Sequence, residues 1–313
     1  MDVKNKNKIL KCGIVGCGNI AGNYDISTST KIRTHAKAYL KNKNCELTCV
    51  CDVDIMKAKK FSAYWGSKYF FNNLDEFLKN NLDIISICTP TNTHKSIFEK
   101  VVASSPQVIW LEKPSSYLIK DIKKMIEISK NKVSVWVNYF RRFTKGFIDI
   151  KNSLKSIGKI QYVNCYYTKG FQHNGSHVID LMIFFFGAIK SFKIIDKIQR
   201  GSFLDIDVIL IMEKAKVNIK SLDYREFEIF EVDIMGVDGR YRIIERGEAI
   251  EFFKTDSSDG YKNYKILKKQ YIKTKILDKF MSENLLFGMS AERENDLEHD
   301  LIIQKHINQI INY

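Results

Sequence analysis

No apolar run in this chain reaches the ~18 residues that a membrane-spanning helix needs. The longest candidate, Val178 to Ala188, is interrupted by Asp180. A membrane partner is therefore not expected. The opening stretch, Met1 to Lys8, is polar and lysine-rich with no apolar core behind it, so no secretory leader is expected and the expected location is the cytoplasm. Proline is scarce, with 3 among 313 residues, and there is no low-complexity linker or internal repeat. Cysteine pairs are missing too. The seven cysteines are an odd number, and Cys45, Cys49 and Cys51 lack the paired spacing of a zinc site. Neither a disulfide framework nor a metal is expected. All seven read as free thiols packed like small hydrophobes. Acidic residues are outnumbered 36 to 50, for a formal charge of +14. The lysines are scattered and no nucleic-acid motif accompanies them, so a nucleic-acid partner is not expected. The abundance of lysine, asparagine and isoleucine is consistent with codon bias, and part of the charge then carries no functional meaning.

What remains is a globular composition, 45% hydrophobic and 27% charged, with length for two domains. The organising stretch is Lys11 to Ala21. It reads as an apolar strand, a glycine turn and the start of a helix. Gly16, Gly18 and Ala21 fit the G-x-G-x-x-A form of the dinucleotide fingerprint. The first glycine permits a tight turn, the second leaves room for a pyrophosphate, and the third small residue lets the helix pack close to the strand. Backbone N–H groups at the helix start, around Asn19 and Ile20, would hold the phosphates. Glycine turns are common, so context decides. A second apolar strand, Leu47 to Cys51, ends at Asp52, whose carboxylate can accept hydrogen bonds from both hydroxyls of an adenosine ribose. The interval from Gly18 to Asp52 exceeds the usual ~20 residues, and Asn23 to Arg33 reads as an inserted loop.

Further along, helices are expected over Met56–Tyr64, Leu74–Lys79 with Asn73 as N-cap, and Lys95–Ala103. Strands are expected at Tyr69-Phe70, Asp83–Pro90, Val108–Leu111 and Val133–Val137. Ser115 or Ser116 is the expected cap of a helix with Leu118, Ile122, Met125 and Ser129 at helical spacing. Alternating strands and helices predict an α/β N-terminal Rossmann domain, a doubly wound parallel sheet, over residues 1–139. Residues 140–313 change character. Ile160–Tyr167 reads as a strand and Ser176–Phe186 as an apolar helix ended by Gly187. Period-two strands follow at Leu204–Leu210 and Phe230–Ile234, with a tight turn at Asp238-Gly239. A final amphipathic helix is expected over Glu292–Asn312, with Leu297, Leu301 and Ile310 on its apolar side. The expectation is an α+β domain with a large open, mainly antiparallel sheet. One face should pack on the helix at Ser176, and the other should be solvated or cover a partner subunit.

Five stretches line up with a known family: Gly16-x-Gly18-x-x-Ala21, Cys51-Asp52, Thr89-Pro90-x-x-x-His94, Glu112-Lys113-Pro114, and Gly175-Ser176-His177-Val178-Ile179-Asp180. In this order they resemble the glucose–fructose oxidoreductase / inositol 2-dehydrogenase family, Gfo/Idh/MocA. The resemblance covers most of the first 180 residues; the rest matches only in general pattern. It implies an NAD(P)-dependent oxidoreductase acting on the secondary alcohol of a sugar, and a homodimer or homotetramer formed through the C-terminal sheet. Lys113, at a strand end, would polarise the reacting oxygen, and His177 would exchange the hydroxyl proton. Thr89, Pro90 and His94 would lie beneath the nicotinamide ribose and ring, and Glu112 would orient a neighbour or wall that site. The resemblance also implies a cis Lys113-Pro114 peptide. Asp180 is expected to be structural.

Many relatives carry an aspartate four residues before the helix histidine; here that position is His173, next to Asn174. Arg141 and Arg142 stand where the first domain hands over to the second, and Tyr167 and Lys169 precede the His177 motif. These cations, and the missing acid, lead to the expectation of an anionic substrate, a nucleotide-activated or phosphorylated sugar used in building a surface glycan. Arg141 and Arg142 pairing with inter-domain acids is the competing expectation. The same motifs are compatible with a neutral sugar, polyol or dihydrodiol-type substrate, and with a non-catalytic dinucleotide-sensing regulator on the same fold. Asp52 favours NAD over NADP, because its charge would repel a 2′-phosphate.

Overall fold

The computed structural model describes residues 8–258, 260, 263–290 and 295–313. The chain divides into two compact units. The first runs to Phe140 and takes up Asp278–Lys305 again; the second holds Arg141–Leu277 and His306–Tyr313. The return of residues 278–305 to the first unit departs from a single cut at 139/140. The reason is packing: Ile32 N–H donates to the Asp278 carbonyl at 2.6 Å, and Asn295 pairs with Val135 at the sheet edge.

The first unit is built on six parallel strands: β1 (Leu10–Val15), β2 (Cys45–Cys51), β3 (Tyr69–Phe71), β4 (Ile84–Ile87), β5 (Val108–Leu111) and β6 (Ser134–Val137). Their order, β3-β2-β1-β4-β5-β6, is that of a doubly wound sheet, with the reversal between β1 and β4. Every residue of β4, β5 and β6 is buried, as strands covered on both faces require. The helices between them are α1 (His35–Lys41), α2 (Ile55–Trp65), α3 (Leu74–Leu78), α4 (His94–Ala103) and α5 (Ile119–Ser129). Asp54 caps α2 by accepting from Met56 and Lys57 N–H, and Gly66 closes it in the left-handed conformation. Asn73 caps α3 as expected.

Two local expectations are corrected. The helix after the glycine turn is a single π-helical turn, Asn19–Asn23, and regular helix resumes only at α1, because the inserted loop interrupts it. Neither Ser115 nor Ser116 caps α5, which starts at Ile119 after Leu118. Ser115 instead donates to Asp300, and Ser116 Oγ accepts Leu118 N–H ahead of the helix. The final helix runs Leu297–Asn312; Glu292 lies outside the described residues. Its buried stripe includes Asp300 and Gln304, while Leu301 is only half-buried.

The second unit begins with α6 (Lys145–Ser153) and β7 (Ile160–Tyr167), followed by α7 (Ser176–Phe186). Seven more strands follow: β8 (Ile189–Arg200), β9 (Phe203–Met212), β10 (Lys216–Ser221), β11 (Phe230–Gly236), β12 (Gly239–Ile244), β13 (Ala249–Ser257) and β14 (Lys265–Lys273). The sheet order is β14-β13-β12-β11-β7-β10-β9-β8, antiparallel except for the β7–β10 pair. Asp238-Gly239 joins β11 to β12. Helix α7 lies on the sheet, with Met182 Sδ 3.6 Å from Cys165 Sγ. In β9 the alternation does not separate apolar from solvated positions. Asp205 and Asp207 are buried as well, and their carboxylates take hydrogen bonds from Arg200, Gly170 N–H and Ser221. The outermost strand, β14, is exposed along its whole length and carries four lysines, which discourage edge pairing.

Candidate active site

The glycine turn sits where β1 and β4 diverge. Gly16 has φ +91°, and a Cβ there would come within 2.8 Å of the Cys88 carbonyl. Only glycine meets both conditions. Around Gly18 the space is open: a Cβ would meet nothing within 4 Å. A cleft of about 710 Å³ opens there, bounded by Gly16, Gly18, Asn19, Ile20, Asp52, Thr89 and Pro90 among others. Ala21 is buried beneath the turn. A tight turn with an open second glycine is the cradle a dinucleotide pyrophosphate requires, so the residues present fit that group. Tyr24, Val53, Lys57, Leu74, Thr93 and Ile97 also line the cleft, and the sequence reading did not pick them out.

Asp52 has a structural task. Its Oδ2 accepts Cys17 N–H at 2.9 Å, bracing the turn, and its Oδ1 accepts Asp54 N–H at 3.1 Å. Lys57 Nζ stands 3.3 Å from the same carboxylate.

His94 and Glu112 do not line the cleft. His94 is buried, with Nδ1 3.0 Å from the Pro114 carbonyl and Nε2 2.8 Å from the Thr89 carbonyl. It ties together the loops after β4 and β5. Burial lowers its pKa against the pull of those two carbonyls. Glu112 Oε1 accepts from His35 Nε2 at 2.9 Å and from Asn138 Nδ2 at 2.5 Å. Burial pushes its carboxyl up, but His35, Asn138 and Lys113 outweigh that and hold it below the usual glutamate range. The Lys113-Pro114 peptide is cis. Ile87 of β4 is level with Leu111 of β5, so two residues further on Thr89 and Lys113 leave the sheet at the same height. Asp300 holds the next residue but one, accepting Ser115 N–H at 2.9 Å and the Ser115 hydroxyl.

In the second unit, His177 is buried in the first turn of α7. Asp180, one turn on, lies 3.0 Å from Arg142 Nε. Arg141 is buried with its guanidinium 3.6 Å over the Phe230 ring, and burial pulls its pKa down to about 9 despite Asp180. Lys169 pairs with Glu228. His173 is exposed and stacks on Phe203, and Asn174 beside it is half-buried. Tyr167 lines no open cleft. It is fully buried, and its hydroxyl both donates to the Ile206 carbonyl at 3.0 Å and accepts Ile206 N–H at 2.8 Å. Among the described residues no group of three or more metal-ligating side chains is assembled, and no helix is long and apolar enough to cross a membrane.

Residues 10–139 match an oxidoreductase family with an NAD-binding Rossmann fold, GFO_IDH_MocA. Inositol 2-dehydrogenase of Rhizobium meliloti (strain 1021) is 25% identical over 157 residues, 49% of this chain and 44% of that protein. The chain thus spans about half the length of the curated relatives it matches. An NAD binding oxidoreductase from Klebsiella pneumoniae superposes with a TM-score of 0.78 at 15% identity, over 97% of this chain and 96% of the other. A 3-ketoreductase from Actinomadura kijaniata, crystallised with TDP-benzene and NADP, superposes with a TM-score of 0.75 at 13% identity over 98% of both chains. With the glycine turn, the strand order and the Glu112-Lys113-Pro114 strand end in place, residues 10–139 are similar to the NAD-binding Rossmann domain of the Gfo/Idh/MocA oxidoreductases.

Proposed function

We propose that the protein is an NAD(P)-dependent oxidoreductase acting on a secondary alcohol, or the corresponding ketone, of a sugar or polyol. The observation that supports this reading is the glycine-turn cleft, which Thr89 lines, together with the strand register by which Lys113 leaves β5 level with Thr89. The bound nicotinamide supplies the hydride chemistry. The chain supplies the rest. The Lys113 ammonium donates a hydrogen bond to the substrate oxygen and favours the alkoxide form. His177 takes the hydroxyl proton during oxidation and returns it during reduction.

The substrate class follows from charge. Two of the cations assigned to an anionic sugar already face acids within the second unit: Arg142 with Asp180 and Lys169 with Glu228. That pairing supports a neutral sugar or polyol, in keeping with the inositol 2-dehydrogenases among the relatives. The second reading is a nucleotide-activated sugar. It is supported by the fold neighbour crystallised with TDP-benzene and by the formal charge of +14.

Lys113→Met is expected to leave NAD(H) affinity nearly unchanged and to lower turnover by ~10²–10⁴, with His177→Ala similar. Both variants turning over like the parent would refute the assignment. Binding of nucleoside diphosphates to the NAD-saturated protein at low and high salt separates the substrate classes. Salt-sensitive binding lost in Arg142→Ala supports the nucleotide sugar. Turnover of a free sugar without diphosphate binding supports the neutral one.

A further inference from the structure

A buried hydrogen-bonded chain runs through the first unit and ends beside Lys113. Tyr39 Oη lies 2.6 Å from Ser86 Oγ, Ser86 Oγ lies 2.9 Å from His35 Nδ1, and His35 Nε2 lies 2.9 Å from Glu112 Oε1. Tyr39, Ser86 and His35 are all fully buried. The imidazole packs against Trp110, ring centroids 4.0 Å apart. Trp110 Nε1 in turn donates to Asn138 Oδ1 at 3.2 Å, which aims the Asn138 amide at the same Glu112 oxygen.

Counting hydrogens selects one arrangement. An ionised carboxylate only accepts, so His35 Nε2 carries a hydrogen. With His35 neutral, Nδ1 accepts from the Ser86 hydroxyl, and Ser86 Oγ accepts from the Tyr39 hydroxyl. Every hydrogen then has an acceptor. If His35 were charged, Nδ1 would donate to Ser86, Ser86 would turn its hydrogen to Tyr39, and the buried Tyr39 hydrogen would be left without an acceptor. Burying an unsatisfied donor is unfavourable, as is burying the extra charge. Glu112 Oε1 is thus held by two donors.

We infer that His35 is a positioning residue: the Tyr39–Ser86 pair fixes its neutral Nε2–H tautomer, which locks the orientation of the Glu112 carboxylate, the chain neighbour of Lys113. The inference rests on the proposed role of Lys113 for its kinetic consequence, but not for its structural one. The carboxylate fixes the local field of the Lys113 ammonium, and a freely rotating Glu112 would blur it. The motif containing Glu112 says nothing of this, since His35 is 77 residues away in sequence.

Two measurements on the full chain test the inference. Ring-nitrogen NMR of histidine-labelled protein at about pH 7, assigned with His35→Gln, is expected to show His35 as the neutral Nε2–H tautomer. Ser86→Ala is expected to relax that preference. An Nδ1–H tautomer, or an imidazolium, overturns the chain. In kinetics, His35→Ala is expected to lower kcat per folded site by about 10–10²-fold, with KM for NAD(H) within ~2-fold of the parent, because it misplaces a group beside the reacting atoms. His35→Gln, whose amide can donate to Glu112, is expected to recover most of the loss. A purely structural His35 would reduce the folded fraction of both variants and leave kcat per folded site unchanged, and that outcome also overturns the inference. Lys113→Met run in parallel separates the two failures. A silent Lys113→Met refutes the active-site assignment, whereas the NMR tautomer reports on the positioning chain alone.

Discussion

Asp300→Ala removes an acceptor that four donors share: Ser115 N–H at 2.9 Å, the Ser115 hydroxyl, the Tyr139 hydroxyl at 3.0 Å and the Gln304 amide at 3.3 Å. The site is fully buried, so water does not readily replace the carboxylate. Some of the loss is recoverable. The Gln304 amide still reaches the Tyr139 hydroxyl at 3.1 Å, and the Ser115 hydroxyl can rotate. The Ser115 N–H cannot turn away, and an orphaned buried donor costs ~1–3 kcal/mol. Adding the weakened hydroxyl bonds, and subtracting the relief of no longer burying a carboxyl group, gives about 2–4 kcal/mol. Asp300→Asn keeps one oxygen for Ser115 N–H and is expected to cost about 1–2 kcal/mol. Urea unfolding followed by circular dichroism reads both as shifts of the midpoint at constant slope. The pH dependence has a definite sign. Burial raises the Asp300 pKa more than its donors lower it. The folded chain therefore keeps this proton to higher pH than the unfolded chain. The resulting stabilisation is complete below the ordinary aspartate value of ~3.9 and is lost as pH rises through the folded value. The advantage of the parent over Asp300→Asn should narrow over that rise. A midpoint for Asp300→Ala equal to the parent's, or a gap that widens with pH, would refute the reasoning.

The glycine turn allows a paired test. Gly16→Ala forces a left-handed alanine against the Cys88 carbonyl and is expected to destabilise by at least ~1–3 kcal/mol. Gly18→Ala meets nothing within 4 Å, so it should fold within ~0.5 kcal/mol of the parent yet bind NADH at least ~tenfold more weakly in a fluorescence titration. Parent-like binding by Gly18→Ala would mean that no pyrophosphate passes there. Parallel titrations should show tighter binding of NAD(H) than NADP(H), with the gap reduced in Asp52→Asn, which can still brace Cys17 N–H; equal affinity in the parent contradicts the argument from Asp52. Burial pushes the Cys49 thiol to about 12 and the Cys51 thiol to about 11, whereas the half-buried Cys45 is lowered by its neighbour Cys12. Mass mapping after brief iodoacetamide treatment should find Cys45 modified first, and early modification of Cys49 or Cys51 would count against this ordering.

Much of the first unit was legible because its signals are local. The runs at β4 and β5 are apolar except for Ser86, because both faces of the sheet are covered. Asn73 announces α3 through its own side chain. In the second unit the period-two pattern marked β9 and β11 but hid the buried aspartates. Asp205 and Asp207 look solvated until Arg200, Gly170 and Ser221 supply their partners. Tyr167 looked like a cleft residue by proximity to His177, and only the pairing of its hydroxyl with Ile206 puts it in the core.

By itself the sequence determined the glycine turn, the strand and helix alternation, and the motif residues from Gly16 to Lys113, because these depend on backbone conformation and side-chain period within short windows. It also determined that Arg142 and Lys169 are cations near the His177 motif. Tertiary structure alone decided what those residues do. It set Arg142 against Asp180, returned residues 278–305 to the first unit, carried Asp300 to Ser115, and brought His35 to Glu112. Those are contacts between positions far apart in sequence, and no local propensity encodes which buried donor will meet which buried acceptor once the chain has closed around them.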